Sequence, residues 1–163
     1  MGDDYMKKSI WKSYVFWIFI IEAFGLLSWF LSMEGMREYA QTAVKPSFSL
    51  PSVLFPIVWT VLYALMGIGI ARIRELGNSP ERNQAISLFT AQLILNFLWP
   101  HIFFNAKDYG LALLLLLILW ILVFSILLTF QKLDNLAGKL QIPYLLWLSF
   151  AALLNEQVWL MNN

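Results

Sequence analysis

The chain has 163 residues, 60% of them hydrophobic and 13% charged, with a net charge of +1 and no cysteine. That balance excludes a broad electrostatic attraction to nucleic acid, and the missing thiols exclude disulfides, iron–sulfur ligation and thiolate chemistry. One histidine cannot assemble a histidine-based metal site, so no metal centre and no required cofactor are expected.

The apolar residues fall in runs that match a membrane, whose hydrocarbon core of about 30 Å needs about 20 helical residues. The first predicted span covers residues 13–33, follows Lys7, Lys8 and Lys12, and carries Glu22 as its only charge. It is too long for a secretion signal and ends at Ser32-Met33-Glu34 without a small-x-small cleavage site, so it reads as a retained helix. Glu34 to Leu50 reads as a long loop with the character of a lid. The second span covers residues 51–71, with Pro51 in the first turn, where its missing N–H is harmless. The third covers 85–105 and is interrupted by Pro100; the fourth covers 110–130 and contains the run Leu113 to Leu117; the fifth covers 140–160. Turn formers at Gly77-Asn78-Ser79-Pro80 and Asp134-Asn135 separate them. The expected fold is an all-α membrane protein, one domain over residues 1–163, built as a five-transmembrane-helix bundle.

Basic residues set the orientation. Lys7, Lys8, Lys12, Arg72, Arg74, Arg82, Lys132 and Lys139 fall on one side, against Arg37, Lys45 and Lys107 on the other. The positive-inside rule then puts the N-terminus in the cytoplasm of a bacterial plasma membrane.

Seven of the eight tryptophans divide by depth, and Trp17, about one turn into the first span, fits either group. Trp11, Trp29 and Trp159 lie at span ends, where indoles favour the headgroup zone. Trp59, Trp99, Trp120 and Trp147 lie deeper. Helical spacing sets Phe55, Trp59 and Tyr63 on one face of the second span. It does the same for Gln92, Asn96, Trp99 and Phe103 on the third, and for Pro143, Trp147, Ala151 and Asn155 on the fifth. Polar side chains are costly in lipid, so these stripes face the bundle interior. There they either line a pocket for a flat apolar ligand or bond the helices to one another. The fourth span has no such stripe and is expected to face lipid. Glu22 is functional by default as an intramembrane acid, and Arg37 or Lys45 from the loop are its nearest candidate partners. His101 reads as an interfacial polar residue in preference to a haem ligand. No nucleophile and base occur at a recognisable spacing.

Several blocks also carry a family pattern. Lys45-Pro46-Ser47-Phe48-Ser49-Leu50-Pro51-Ser52 leads into Phe55-Pro56-Ile57-Val58-Trp59-Thr60 and Leu62-Tyr63. The third span gives Gln92-Leu93, Leu95-Asn96-Phe97-Leu98-Trp99 and Phe103-Phe104; the fifth gives Pro143-Tyr144-Leu145-Leu146-Trp147, Phe150-Ala151, Leu154-Asn155 and Trp159. In order and spacing these resemble the translocator protein family (TspO/MBR, the tryptophan-rich sensory proteins), over about residues 36–162.

The resemblance implies a five-helix bundle, often a homodimer, with a cavity under the first loop that binds porphyrins such as protoporphyrin IX or haem. It implies roles in tetrapyrrole transport, sensing or stress-related disposal. Two alternatives stand beside these. One is light- and oxygen-dependent porphyrin breakdown, with Trp59 and Trp147 as the reactive residues. The other is a non-catalytic scaffold for a partner. The family's cavity tryptophans match Trp59 and Trp147, its small cavity residue Ala151, and its third-helix asparagine Asn96. The implied site adds Tyr39, Phe48 and Pro51 from the loop, with the porphyrin stacked between Trp59 and Trp147. The implied partners are a porphyrin, membrane lipid and a second copy of the chain. Phe48 stands where the family has a loop tryptophan, Leu50 where it has the first proline of a pair, Leu115 where a fourth-helix acid is common, and His101 where a proline is common. Glu156 takes the tyrosine position of the C-terminal cholesterol motif, and cholesterol binding is not expected.

Overall fold

The computed structural model describes residues 2–162, with side chains from residue 10 onward; the Lys7 and Lys8 side chains of the charge count lie outside those described. Helix α1 runs over Gly2–Thr42, α2 over Leu54–Arg74, α3 over Pro80–Pro100, α4 over Tyr109–Leu133, α5 over Asn135–Lys139 and α6 over Ile142–Asn162. Five helical segments are long and apolar enough to cross a membrane, with the short α5 joined to the last of them.

Local chemistry explains the boundaries. Ser79 starts α3 by accepting the backbone N–H of Arg82 at 3.1 Å, and Pro80 follows in the first turn. Asp108 starts α4 by accepting the N–H of Leu111 at 2.9 Å. At the other end of α3, Pro100 has no N–H to donate. The chain then widens into a π-helical turn at His101–Asn105, closed by Ala106 N–H donating to the His101 carbonyl at 2.9 Å.

One expected boundary is wrong. The segment from Glu34 reads as loop in sequence, yet α1 continues to Thr42, and only residues 43–53 are non-helical. No proline interrupts Glu34–Thr42. Gly35 lets α1 approach the Phe104 backbone, which would lie 2.6 Å from an added Cβ.

The bundle closes tightly at the end away from the 43–53 loop, here the far end. Gly67 lets α2 meet the α1 backbone, where an added Cβ would sit 2.7 Å from Ile18 Cα. Met66, Ile70, Ile73, Phe89, Val123, Ile126 and Phe130 fill that half and are almost wholly buried, and the Phe89 and Phe130 rings stack at 6.0 Å. Arg72 clamps the same end. Its guanidinium donates to Asp134 Oδ1 at 3.0 Å, to Asp134 Oδ2 at 2.6 Å and to the Tyr14 hydroxyl at 3.0 Å, joining α1, α2 and the α4–α5 link. The guanidinium holds the Asp134 carboxyl below the usual carboxylate range.

Helix α4 is also not the lipid-facing helix its composition suggests. It packs against α3 and α6. Ala112, Leu115, Leu116, Leu119, Val123, Ile126 and Phe130 form its buried face, while Leu114, Ile118, Ile121, Phe124 and Leu128 are exposed. A continuous leucine run has no polar contrast to reveal that division.

Candidate functional site

The half of the bundle under the loop is hollow. A cavity of about 730 Å³ opens there, inside the roughly 300–1,000 Å³ range of small-molecule sites. Its walls come from α1, α2, the end of α3, and α6, with Leu116 and Leu119 contributed by α4.

The aromatic wall follows from the helical spacing of α2 and α6. Phe55, Trp59 and Tyr63 face Trp147 and Ala151 across the cavity. Trp59 and Trp147 meet edge to face, 6.4 Å apart with planes at 85°, and Phe55 lies 5.7 Å from Trp147. Parallel walls would form a slot, whereas these two rings form a corner. A flat ring lying on one indole therefore turns its own edge to the other, in place of the sandwich expected from sequence. Trp147 also borders a groove of about 490 Å³ on the outer face between α2 and α6, lined by Ile57, Val61, Pro143 and Leu146. One indole thus separates cavity from lipid.

The floor is a hydrogen-bonded chain. The Tyr63 hydroxyl donates to Asn96 Oδ1 at 2.9 Å, and Asn96 Nδ2 donates to the Tyr144 hydroxyl at 2.7 Å. Higher up, Trp99 Nε1 donates to Asn155 Oδ1 at 3.3 Å, and Asn155 Nδ2 donates to the Tyr109 carbonyl at 2.8 Å. Asn96 and Asn155 thus line the cavity and bond helices together at once, so each has less left to offer a ligand.

The roof is the 43–53 loop with the end of α1. Asn162 pins it by accepting the Val44 N–H and donating to the Val44 carbonyl, both at 2.9 Å. The Lys45 ammonium donates to the Ala40 carbonyl at 3.0 Å and lies 5.3 Å from the centre of the Tyr39 ring. Tyr39 in turn packs edge-on to Phe103 and Phe104, each at 5.3 Å. Lys107 and Glu38 pair across the outside of this cluster.

Of the residues singled out in sequence, Tyr39, Phe55, Trp59, Tyr63, Asn96, Trp99, Phe103, Trp147, Ala151 and Asn155 share this one cavity. Four lie elsewhere. Gln92 is buried beneath the floor beside the Met66 sulfur, 4.0 Å from its amide nitrogen. Pro143 lines the outer groove. Pro51 is exposed in the turn before α2. Phe48 is exposed on the loop, 6.5 Å from Phe150. His101 turns away from the cavity to contact Ser32 on α1, Nδ1 to Oγ 3.0 Å. Trp120 donates to Ser149 Oγ at 2.8 Å between α4 and α6.

The α1 wall is what sequence reasoning misses. Glu22, Gly25, Trp29 and Met36 all line the cavity, and their spacing of three, four and seven residues is a helical face. Gly25 belongs to it because the Tyr63 ring occupies the space a Cβ would take. In sequence Trp29 reads as interfacial and Glu22 stands in isolation, so the stripe goes unassembled.

Comparison with known proteins agrees with this architecture. Residues 17–160 match the TspO/MBR family. The chain is 38% identical to the tryptophan-rich protein TspO of Chlorobaculum tepidum over 125 residues, covering 76% of this chain and 79% of that protein. It is 38% identical to the translocator protein of Homo sapiens over 136 residues, covering 82% and 80%. It is 35% identical to the tryptophan-rich sensory protein of Cereibacter sphaeroides over 125 residues, covering 77% of each.

Proposed function

This chain belongs to the TspO/MBR family and is an integral membrane protein, and on that premise we propose that its cavity binds a porphyrin, protoporphyrin IX or haem. The observation that carries this reading is the aromatic corner of Trp59, Trp147 and Phe55 inside a cavity of about 730 Å³. A macrocycle is flat and apolar, and each ring contact is worth about 1 kcal/mol beyond the area it buries. The acidic edge of the porphyrin points to the roof, where Lys45 is the cation lining the cavity. Binding of this kind serves transport, sensing or disposal of tetrapyrroles. The proposed setting is a bacterial plasma membrane with the far end in the cytoplasm, as the basic residues Lys12, Arg72, Arg74, Arg82, Lys132 and Lys139 there favour, and the proposed assembly is a homodimer.

The test is quenching of tryptophan fluorescence by protoporphyrin IX, in the dark, on detergent-purified protein and on the Trp59→Phe, Trp147→Phe variant. Saturable quenching at micromolar concentration or tighter, weakened at least tenfold in the variant, supports the reading. Equal affinity in the two proteins removes the cavity as the site.

A further inference from the structure

The amides and the ammonium group around the cavity are engaged by the protein, whereas its carboxyl, on α1, is not. Tyr63, Asn96 and Tyr144 bond to one another, Asn155 bonds to Trp99 and Tyr109, and the Ser28 hydroxyl donates to the Phe97 carbonyl at 3.0 Å. Lys45 is held by Ala40 and Tyr39. Glu22 is the one acidic side chain lining the cavity, and among the described residues it has neither a hydrogen bond nor an ion pair. The cations that sequence suggests for it are spent elsewhere: Arg37 lies against Met33 and Lys45 is at the roof. Of the two cations at the far end of α2, Arg72 is committed to Asp134 and Tyr14 and Arg74 lies over the Trp17 ring.

Glu22 also sits at a defined depth. It lies one helical turn before Gly25, whose backbone abuts the Tyr63 ring, so it is level with the floor. Met36, at the roof end of the same stripe, is 14 residues further along α1, or about 21 Å. Glu22 is half-buried in the cavity wall, where a carboxyl among apolar groups gains from a donor. The protein supplies no donor at Glu22, and a ligand reaching the floor would.

We propose that the Glu22 carboxyl is the acceptor for a ligand nitrogen, so that the cavity selects flat apolar molecules presenting an N–H or ammonium group at their deep side. The ligand is then oriented by its polarity: nitrogen donor toward Glu22, acceptor or acid toward Lys45 and the unpartnered Ser49 hydroxyl at the roof. This rests on the porphyrin reading and narrows it. A free-base porphyrin carries inner N–H donors at the centre of its face, and they reach an acceptor lying over that face when the ring puckers, so the contact places the face of the macrocycle over the Glu22 carboxyl. Its palladium(II) complex has the same outline, lacks those donors and takes no axial ligand, so it isolates the contact.

The experiment measures dissociation constants for protoporphyrin IX and palladium(II) protoporphyrin IX, in the dark, on the wild type, Glu22→Gln and Glu22→Leu. The wild type should prefer the free base. Glu22→Leu should weaken the free base about tenfold, the loss of one hydrogen bond to a charged group, and change the palladium complex less than twofold. Glu22→Gln keeps the size and a carbonyl acceptor, so it should retain the fold and lose about threefold on the free base alone. Equal losses on both porphyrins, or no change on either, overturn the assignment of Glu22. A wild type that binds neither porphyrin overturns the porphyrin reading itself, and the Glu22 preference with it.

Discussion

The same helices build a filled half and a hollow half, and the boundary between them is the Tyr63–Asn96–Tyr144 chain. At the far end the side chains are mainly aliphatic, and Gly67 lets α1 and α2 touch backbone to backbone. Under the loop, large rings at Phe55, Trp59 and Trp147 stand between α2 and α6, and those two helices are not among the closely packed pairs. The difference teaches how a bundle keeps a cavity open in lipid. Small residues draw helices together where the fold needs closure. Rings that brace edge to face, about 6 Å between centres here, hold them apart where it needs room.

The sharpest way to break this comparison is to delete a large ring from each half. Phe130 is wholly buried in the filled half, and Phe130→Ala should cost about 3–5 kcal/mol through a new void. Trp147 borders existing space on both sides, so Trp147→Ala should cost less than half as much while weakening porphyrin more. Thermal or denaturant unfolding in detergent, with binding measured alongside, checks both arms. Equal stability losses would mean that the hollow half is packed as tightly as the filled one.

Much of this is legible in the chain. Run lengths and polar breaks locate all five spans, because hydrocarbon thickness fixes helix length. The stripes on α2, α3 and α6 are legible because Trp59, Asn96 and Trp147 contrast with their apolar neighbours. What escapes has no contrast or needs a partner to be seen. Leu116 and Leu119 are cavity walls inside a uniform leucine run. The continuation of α1 past Glu34 is obscured by charged residues that tolerate helix as readily as loop. Gln92 fits its stripe by spacing, yet depth along the helix, which spacing does not report, puts it beneath the floor.

The floor itself sets the next expectation. Asn96→Leu removes the acceptor of Tyr63 and the donor to Tyr144 together. Leaving buried hydroxyls unsatisfied costs about 1–3 kcal/mol. Adding Tyr63→Phe and Tyr144→Phe should recover much of that loss, since removing all partners leaves no stranded polar group. A triple variant no more stable than Asn96→Leu would show that asparagine acts there through packing, and the floor would no longer separate the two halves by its hydrogen bonds.

The smallest effect expected here belongs to the far-end clamp, and it separates the halves by pH. The Arg72 guanidinium holds the folded Asp134 carboxyl below its ordinary value of about 3.9. A depressed folded pKa stabilises the protein fully above the ordinary value, and that contribution drains away as pH falls through the folded one. Thermal stability should therefore fall on acidification from about pH 4 downward. Asp134→Asn keeps a side chain able to cap α5 and removes only the charge. It should cost about 1 kcal/mol at pH 7 and flatten that acid limb, with the porphyrin dissociation constant unchanged at neutral pH. A shift in porphyrin affinity in this variant would show the clamp reaching through the floor to the cavity, and the two halves would have to be treated as one coupled unit.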